Sequence, residues 1–103
     1  MATKYRVEIT KTAEKDIEEI WMQIGADSIE NATQFVIQLE EKIGTLEKMP
    51  QRCPSIPENE LLGTDYRDLL LEKYRVIFRI AQKSVWVLRI VHGSRLLDIS
   101  FFG

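Results

Sequence analysis

The stretch YRDLLLEKYRVIFRIAQKSVWVLRIVH, residues 66–92, decides the fold. It contains three segments rich in branched and aromatic residues, at 66–72, 74–80 and 85–92, and such segments are typical of β-strands. Because the connections between them are only two or three residues long, the three segments are predicted to pair as consecutive antiparallel hairpins. The first connection lacks the glycine or asparagine that tight hairpin turns favour.

Two amphipathic helices precede these strands. Apolar residues recur at helical spacing over residues 13–24 and again over residues 32–46. Thr12 is the predicted N-cap of the first helix, and Asp27 with Glu30 resembles a capping box at the start of the second. Since only a few residues separate the helices, they are predicted to pack antiparallel as a hairpin.

The remaining segments complete the predicted architecture. Residues 4–9, KYRVEI, alternate between polar and apolar side chains, which indicates a short half-buried strand. Pro50, Pro54 and Pro57 follow the helices and predict a loop of about fifteen residues that no helix or central strand crosses. We therefore expect an α+β domain in which an N-terminal strand and an antiparallel helical hairpin, residues 11–48, pack with a small antiparallel β-sheet.

Composition limits the class of protein. With 103 residues, 45% of them hydrophobic and 29% charged, the chain is expected to form one domain over residues 1–103. Cys53 is the single cysteine, so no disulfide is expected and the cytoplasm is the simplest location. The sequence shows no signal peptide, membrane span or metal-ligand spacing, and we expect no cofactor. The formal net charge of −2 has the wrong sign for a domain that binds mainly to phosphates.

Arginines are concentrated in the strand region. Residues 51–103 carry eight Lys/Arg and six Asp/Glu, and six of the eight are arginines. If Phe78 faces the helices, strand alternation places Arg75 and Arg79 on the opposite face of the sheet, and Arg89 of the last strand is expected beside them. The predicted apolar set of that last strand is Trp86, Leu88 and Ile90. The predicted core is Trp21, Phe35, Leu39, Phe78, Leu88 and Ile90.

These outward arginines allow two interpretations. They are either solvated or paired with carboxylates of the same chain such as Asp68 and Glu72, or they form a basic surface for an acidic partner or a phosphate backbone. The sequence pattern alone favours neither interpretation of these arginines.

A second group of polar residues follows the last strand. His92, Ser94, Arg95 and Asp98 lie close together in sequence around Gly93, but no G-x-S-x-G motif is present and a serine hydrolase triad is not expected. His92 is either a hydrogen-bonded structural residue or, with Arg95, a site for acid–base chemistry on a phosphate.

The chain resembles toxins of the RelE/ParE superfamily, the toxic components of type II toxin–antitoxin systems. The resemblance rests on A-x-x-D-I-x-x-I-W at 13–21, A-x-x-F-x-x-x-L-x-x-x-I-x-x-L at 32–46, YR at 66–67, YRVIFRI at 74–80 and VLRIVHGSR at 87–95. These motifs cover nearly the whole chain in a fairly specific order, and the long helical hairpin resembles the ParE side.

The resemblance implies two alternative activities. ParE-like members poison DNA gyrase, whereas RelE-like members are ribosome-dependent endoribonucleases, or mRNA interferases, that cut mRNA in the ribosomal A site. Under the nuclease alternative the catalytic residues are His92, Arg95, Arg75 and Arg67. However, Leu69 and Phe101 stand where the nuclease pattern has a lysine and a catalytic tyrosine.

We therefore expect a ParE-like plasmid-stabilisation toxin that poisons gyrase through protein contacts. The helical hairpin or the apolar tail at residues 99–103 could supply the surface, and the alternative role of the tail is to pack on the chain's own helices. The ribonuclease, and a non-toxic remnant that only binds antitoxin, remain alternatives. The resemblance implies a cognate antitoxin in a hetero-oligomer, with an acidic, apolar segment contacting Arg75, Arg79 and Arg89.

Overall fold

The computed structural model describes residues 4–93. Along the chain its elements are β1 (Arg6–Ile9), α1 (Lys11–Gly25), α2 (Ile29–Gly44), α3 (Asn59–Leu62), β2 (Arg67–Leu71), β3 (Tyr74–Ala81) and β4 (Ser84–His92). The predicted α+β fold, with a helical hairpin packed on a sheet, is confirmed. Within residues 4–93 no helix is long and apolar enough to cross a membrane.

The sheet has the strand order β1-β4-β3-β2. β2, β3 and β4 pair antiparallel through two hairpins, as predicted. β1 pairs parallel to β4, so the complete sheet is mixed. Parallel neighbours need a long crossover, and here the helices and the two hairpins between β1 and β4 provide it.

Both helices begin at residues other than the predicted caps. The Thr10 hydroxyl accepts a hydrogen bond from the Ala13 amide at 3.2 Å, so Thr10 and not Thr12 caps α1. Ser28, one residue beyond the predicted Asp27, accepts from the amide at the third residue of α2 at 3.1 Å. In each case an extended residue whose hydroxyl oxygen accepts from the first turn lies just outside the helix, which is the geometry that an N-cap requires.

The main core lies between the hairpin and one face of the sheet. Its buried residues include Phe35, Leu39, Phe78 and Ile90, all of which were predicted. Trp21 is 38% exposed, so its assignment to the core was wrong. The buried residues of α1 form a narrow stripe ending at Ile20, and Trp21 is turned about 100° away from it.

A β-bulge changes which residues of β4 face the helices. Phe78 pairs with Val87 and the preceding residue of β3 pairs with Arg89, which leaves Leu88 as an extra residue. Val85 and Val87 therefore join the main core, and strand alternation resumes one residue later at Ile90. The predicted facing set of Trp86, Leu88 and Ile90 was thus correct only at Ile90, and Leu88 is only half-buried.

The proline-containing loop covers the opposite face of the sheet. Ser55 bridges to the start of β2, and Ile56 packs with Ile77, Val91 and the half-buried Tyr66 in a second, smaller core. The loop also contains a 3-10 turn and the short helix α3, which lies beyond the last proline. The prediction of a helix-free loop was therefore wrong in its final part.

Candidate functional site

Arg75 lies in a buried network of charged side chains on the loop-covered face of the sheet. Its Nη1 and Nη2 atoms donate to the two carboxylate oxygens of Glu58 at 2.8 and 3.0 Å, and its Nε donates to Asp68 at 2.9 Å. The Arg75 side chain is 9% exposed. Hydrogen bonding to Glu58 raises the pKa of Arg75 above its ordinary value, against the opposing effect of burial. The positive charge of Arg75 is thus matched inside the chain.

Arg89 forms a second bidentate pair, with a carboxylate of α1. Its Nε and Nη2 atoms donate to Asp16 at 2.7 and 3.0 Å, and the Ile90 amide donates to the same carboxylate at 2.9 Å. The hydrogen bonds to Asp16 raise the pKa of Arg89 above its ordinary value, although burial opposes this. Arg89 was expected beside Arg75 and Arg79 on the face of the sheet opposite the helices, and that placement was wrong, because its head group is bonded to a carboxylate of α1. The bulge and the nearby buried acid of α1 together give it a partner inside the fold.

Arg79 is the third predicted arginine of the outer face and is exposed. Within residues 4–93 it forms no ion pair. The three arginines Arg75, Arg79 and Arg89 therefore do not make a continuous basic surface, because two of them are neutralised internally. Pairing with Asp68, one of the two interpretations of the sequence, is what the structure shows for Arg75.

Arg67 serves a different local purpose. Its Nη1 atom donates to the carbonyl oxygens of Cys53 and Gln51 at 2.5 and 3.3 Å, which ties the loop to β2. Arg67 lies opposite Phe78 in the register of β2 and β3, so it is on the face of the main core. Arg75 is two residues from Ile77 on the same strand, so it is on the face of the second core. The two arginines consequently lie on opposite faces of the sheet.

His92 is exposed at the end of β4. It pairs with Tyr74 across the sheet, and the two rings meet edge to face with their centres 5.7 Å apart. A cleft of about 210 Å³ lies between this end of β4 and α1, and Asp16 and Glu19 contribute carboxylates to its lining. Arg89, which also lines the cleft, is already bonded to Asp16. This lining does not offer a phosphate the cationic surroundings that it would need.

The four predicted nuclease residues are only partly described. Arg95, like Phe101 and the apolar tail at 99–103, lies outside the described residues. Among the described ones, Arg75 and His92 line one cleft together with Lys73, but the head group of Arg75 is bonded to two carboxylates. Arg67 donates to loop carbonyls and lies on the opposite face of the sheet from Arg75, so the three residues do not form one cationic site. A nuclease of this type needs several free cations beside a proton-transfer group in fixed geometry.

Two important carboxylates were not singled out from the sequence. Asp16 lies at helical spacing between Ala13 and Ile20, so a carboxylate on the buried stripe of α1 was a visible sign of a buried partner. Glu58 lies in the loop, where no periodicity indicates which side chain will meet the sheet.

Comparison with known proteins shows the family and the fold of the chain. A sequence model of the ParE toxin of the type II toxin–antitoxin system parDE matches residues 7–97, so the chain belongs to the ParE toxin family. The fold is similar to that in the chromosomal ParDE toxin–antitoxin system from P. aeruginosa, with a TM-score of 0.70, 20% identity, and coverage of 88% of this chain and 98% of that one.

A second similar structure is the RelBE2 toxin–antitoxin complex from Mycobacterium tuberculosis. The TM-score is 0.56 and the identity 27%, over 87% of this chain and 92% of that one. No functionally curated protein is significantly similar to the chain. The resemblance to the RelE/ParE superfamily, and to ParE more closely than to RelE, is thus confirmed.

Proposed function

We propose that residues 1–103 act as one ParE-type toxin domain that inhibits growth by binding and poisoning DNA gyrase, and that a cognate antitoxin neutralises it in a hetero-oligomer. The observation that carries this proposal is the pairing of Arg75 with Glu58 and Asp68. An arginine held by two carboxylates on a covered face is poorly placed to stabilise a phosphorane. Protein binding makes no such demand on it.

The rest of the described surface supports the same choice. Arg67 and Arg75 lie on opposite faces, and the cleft beside His92 has two carboxylates in its lining. In that cleft Asp16 is already paired with Arg89 and Glu19 adds a further negative charge, so the lining has no net positive charge to attract phosphates. The cytoplasm is the proposed location because gyrase is found there.

The antitoxin contact predicted at Arg75, Arg79 and Arg89 also remains a proposal. Arg79 supports it directly, since it is exposed and forms no ion pair within residues 4–93. Arg75 and Arg89 would contribute only if their carboxylate partners were exchanged for those of the antitoxin. We therefore expect Arg79→Glu to weaken antitoxin binding more than a charge reversal at a distant exposed arginine such as Arg6.

Parallel assays of the purified chain distinguish the candidate targets. Gyrase supercoiling should be inhibited by the wild-type chain and equally by His92→Ala and Arg95→Ala, because protein-mediated poisoning needs no proton-transfer group. Deletion of residues 99–103 tests whether the tail takes part. Codon-specific mRNA cuts in a translation reaction that disappear in His92→Ala would contradict the gyrase proposal in favour of a ribonuclease. Absence of any growth defect would indicate a non-toxic antitoxin-binding protein.

A further inference from the structure

The face of the sheet opposite the helices is only partly covered. The second core occupies it around Ile77 and Val91. Trp86 of β4 is half-buried and, within residues 4–93, belongs to neither core. Its neighbours Val85 and Val87 both pack in the main core, so strand alternation places Trp86 on the opposite face. An indole side chain therefore lies on the part of this face that the second core leaves open.

Trp86 lies in the middle of the sheet and not at an edge. It pairs with Arg79 of β3 on one side and with Glu8 of β1 on the other. Because both sides of β4 are occupied at this position, a peptide cannot bind at Trp86 by adding a further strand. The position offers a partner an aromatic side chain on a sheet face.

Two arginines flank Trp86 on this face. Arg79 lies directly opposite it on β3, and the neighbours Phe78 and Ile80 pack in the main core, so Arg79 points away from the helices. Arg6 of β1 follows the same alternation, and its side chain is 79% exposed. The Cα atoms of the two arginines are two strands and two register positions apart, about 12 Å. The indole therefore lies between two exposed cations.

Two lysines add to this positive charge. The Lys83 carbonyl accepts from the Arg6 amide at 2.9 Å, so the turn between β3 and β4 places Lys83 beside Arg6. Lys4, two residues before Arg6, is also exposed. In the described chain Glu8, whose Oε1 is 3.9 Å from the Arg6 Nε, is the one carboxylate on the strand positions next to Trp86. We call this group the basic platform; its members are Trp86, Lys4, Arg6, Arg79 and Lys83, and with Glu8 its net charge is +3.

The basic platform belongs to a positive side of the molecule. The exposed residues of 11–44 comprise seven carboxylates and three lysines, a net charge of −4. Elsewhere in residues 4–93 the exposed charged side chains are seven cations and three carboxylates, a net charge of +4 with His92 counted as neutral. The cations are Lys4, Arg6, Lys48, Arg52, Lys73, Arg79 and Lys83, and the carboxylates are Glu60, Asp65 and Glu72. The formal −2 of the whole chain therefore does not exclude phosphate binding at one place on its surface.

We propose that the basic platform binds single-stranded DNA, with a base stacked on Trp86 and adjacent phosphates held by Arg79, Arg6 and Lys83. Aromatic side chains on a sheet, with cations beside them, bind single strands without sequence preference because every base has a π-face. Duplex DNA keeps its bases stacked inside the helix and cannot use the indole. DNA is chosen over RNA because the proposed target, gyrase, acts on DNA, and this choice rests on the proposed function.

The basic platform is separate from the candidate nuclease residues. Trp86 and His92 are six residues apart on β4, about 20 Å. A strand stacked on Trp86 therefore has no phosphate held at His92, and the proposal is of binding without cleavage. Arg79 also belongs to the antitoxin contact proposed above, so an antitoxin that covers Arg79 should displace the DNA.

Binding of a labelled deoxythymidine strand of about 12 nucleotides, followed by fluorescence anisotropy, tests the aromatic contact. Trp86→Leu should weaken binding at least tenfold, whereas Trp86→Phe keeps a ring and should retain most of the affinity. Trp21→Leu removes the other tryptophan, 38% exposed on α1, and should leave the affinity within twofold of wild type. In Trp21→Phe the single tryptophan is Trp86, and the bound strand should quench its emission. Unchanged emission at saturation would overturn the proposal.

Lys83→Glu and Lys73→Glu form a matched pair for the charged contact. Each lysine is the exposed second residue of a two-residue hairpin turn, and the turns lie at opposite ends of β3. Lys83→Glu should weaken binding at least fivefold and flatten the slope of log affinity against log salt by about 0.7 or more, while Lys73→Glu should change the affinity less than twofold. Equal losses in the two would mean that only the overall charge matters and would overturn the proposal. Both positions are exposed, so this comparison holds even if Trp86→Leu does not fold.

Competing ligands identify the chemistry that is bound. An abasic strand of the same length and a polyglutamate peptide of the same charge should each bind at least tenfold more weakly than the deoxythymidine strand. The uridine RNA strand should bind no more tightly than the deoxyuridine strand, because the proposed contacts include none to a 2′-hydroxyl. A peptide or abasic strand that binds as well as DNA, or an RNA that binds more tightly, would overturn the proposal.

The gyrase assay separates this surface from the proposed function. If gyrase is inhibited but the deoxythymidine strand does not bind, the basic platform is wrong and the proposed function stands. If the strand binds as expected while gyrase is unaffected, the platform is supported and the proposed function is wrong.

Discussion

Replacement of Arg75 by alanine tests whether the buried charge network is structural. The change removes three hydrogen bonds of 2.8 to 3.0 Å and takes the Arg75 cation away from Glu58 and Asp68, whose side chains are 14% and 12% exposed. Removing one partner of a buried ion pair typically costs about 3–5 kcal/mol. Glu58 lies in a loop and can turn toward water. We therefore expect Arg75→Ala to lower the free energy of unfolding by about 3 kcal/mol, the lower end of this range.

Arg79→Ala is a matched control for this change. Arg79 lies on the same strand four residues away, but it is exposed and forms no ion pair within residues 4–93, so its loss should change the free energy of unfolding by no more than about 0.5 kcal/mol. Thermal and urea unfolding followed by circular dichroism should show Arg75→Ala melting about 12 °C or more below wild type. Equal midpoints for the two variants would refute the structural role assigned to Arg75.

Three further changes test local features of the fold. Thr10→Ala should cost about 0.5–2 kcal/mol of stability because it removes the N-cap of α1, whereas Thr12→Ala should cost almost nothing in the same unfolding assay. Gln82 has a φ of +56°, so Gln82→Gly should raise the unfolding midpoint by relieving left-handed strain of about 1 kcal/mol, while Lys83→Gly should lower it. Burial raises the pKa of the Cys53 thiol, so in the alkaline range the unfolded chain ionises first; stability should decline there as pH rises, and Cys53→Ser should remove that decline. Rapid reaction of native Cys53 with a thiol reagent would contradict its burial.

The sequence by itself determined the elements and the family. Hydrophobic periodicity is a local property, so the helical hairpin and the three consecutive strands could be predicted from residues 11–92 alone. The order and spacing of the motifs then indicated the RelE/ParE superfamily, and the match over residues 7–97 confirmed it. Asp16, at helical spacing on the apolar stripe of α1, was a signal of a charged partner that the sequence analysis did not use.

Only the tertiary structure decided where the charges lie. A single bulge at Leu88 breaks the alternation of β4 and shifts every following side chain to the other face of the sheet. The residue type at position 88 does not predict such a bulge. Arg89 finds Asp16 across 73 residues of sequence, and Glu58 reaches Arg75 only because the loop folds over the sheet. These pairings depend on the packing of distant segments, which local periodicity does not encode. They convert an apparent basic face into a largely neutralised one.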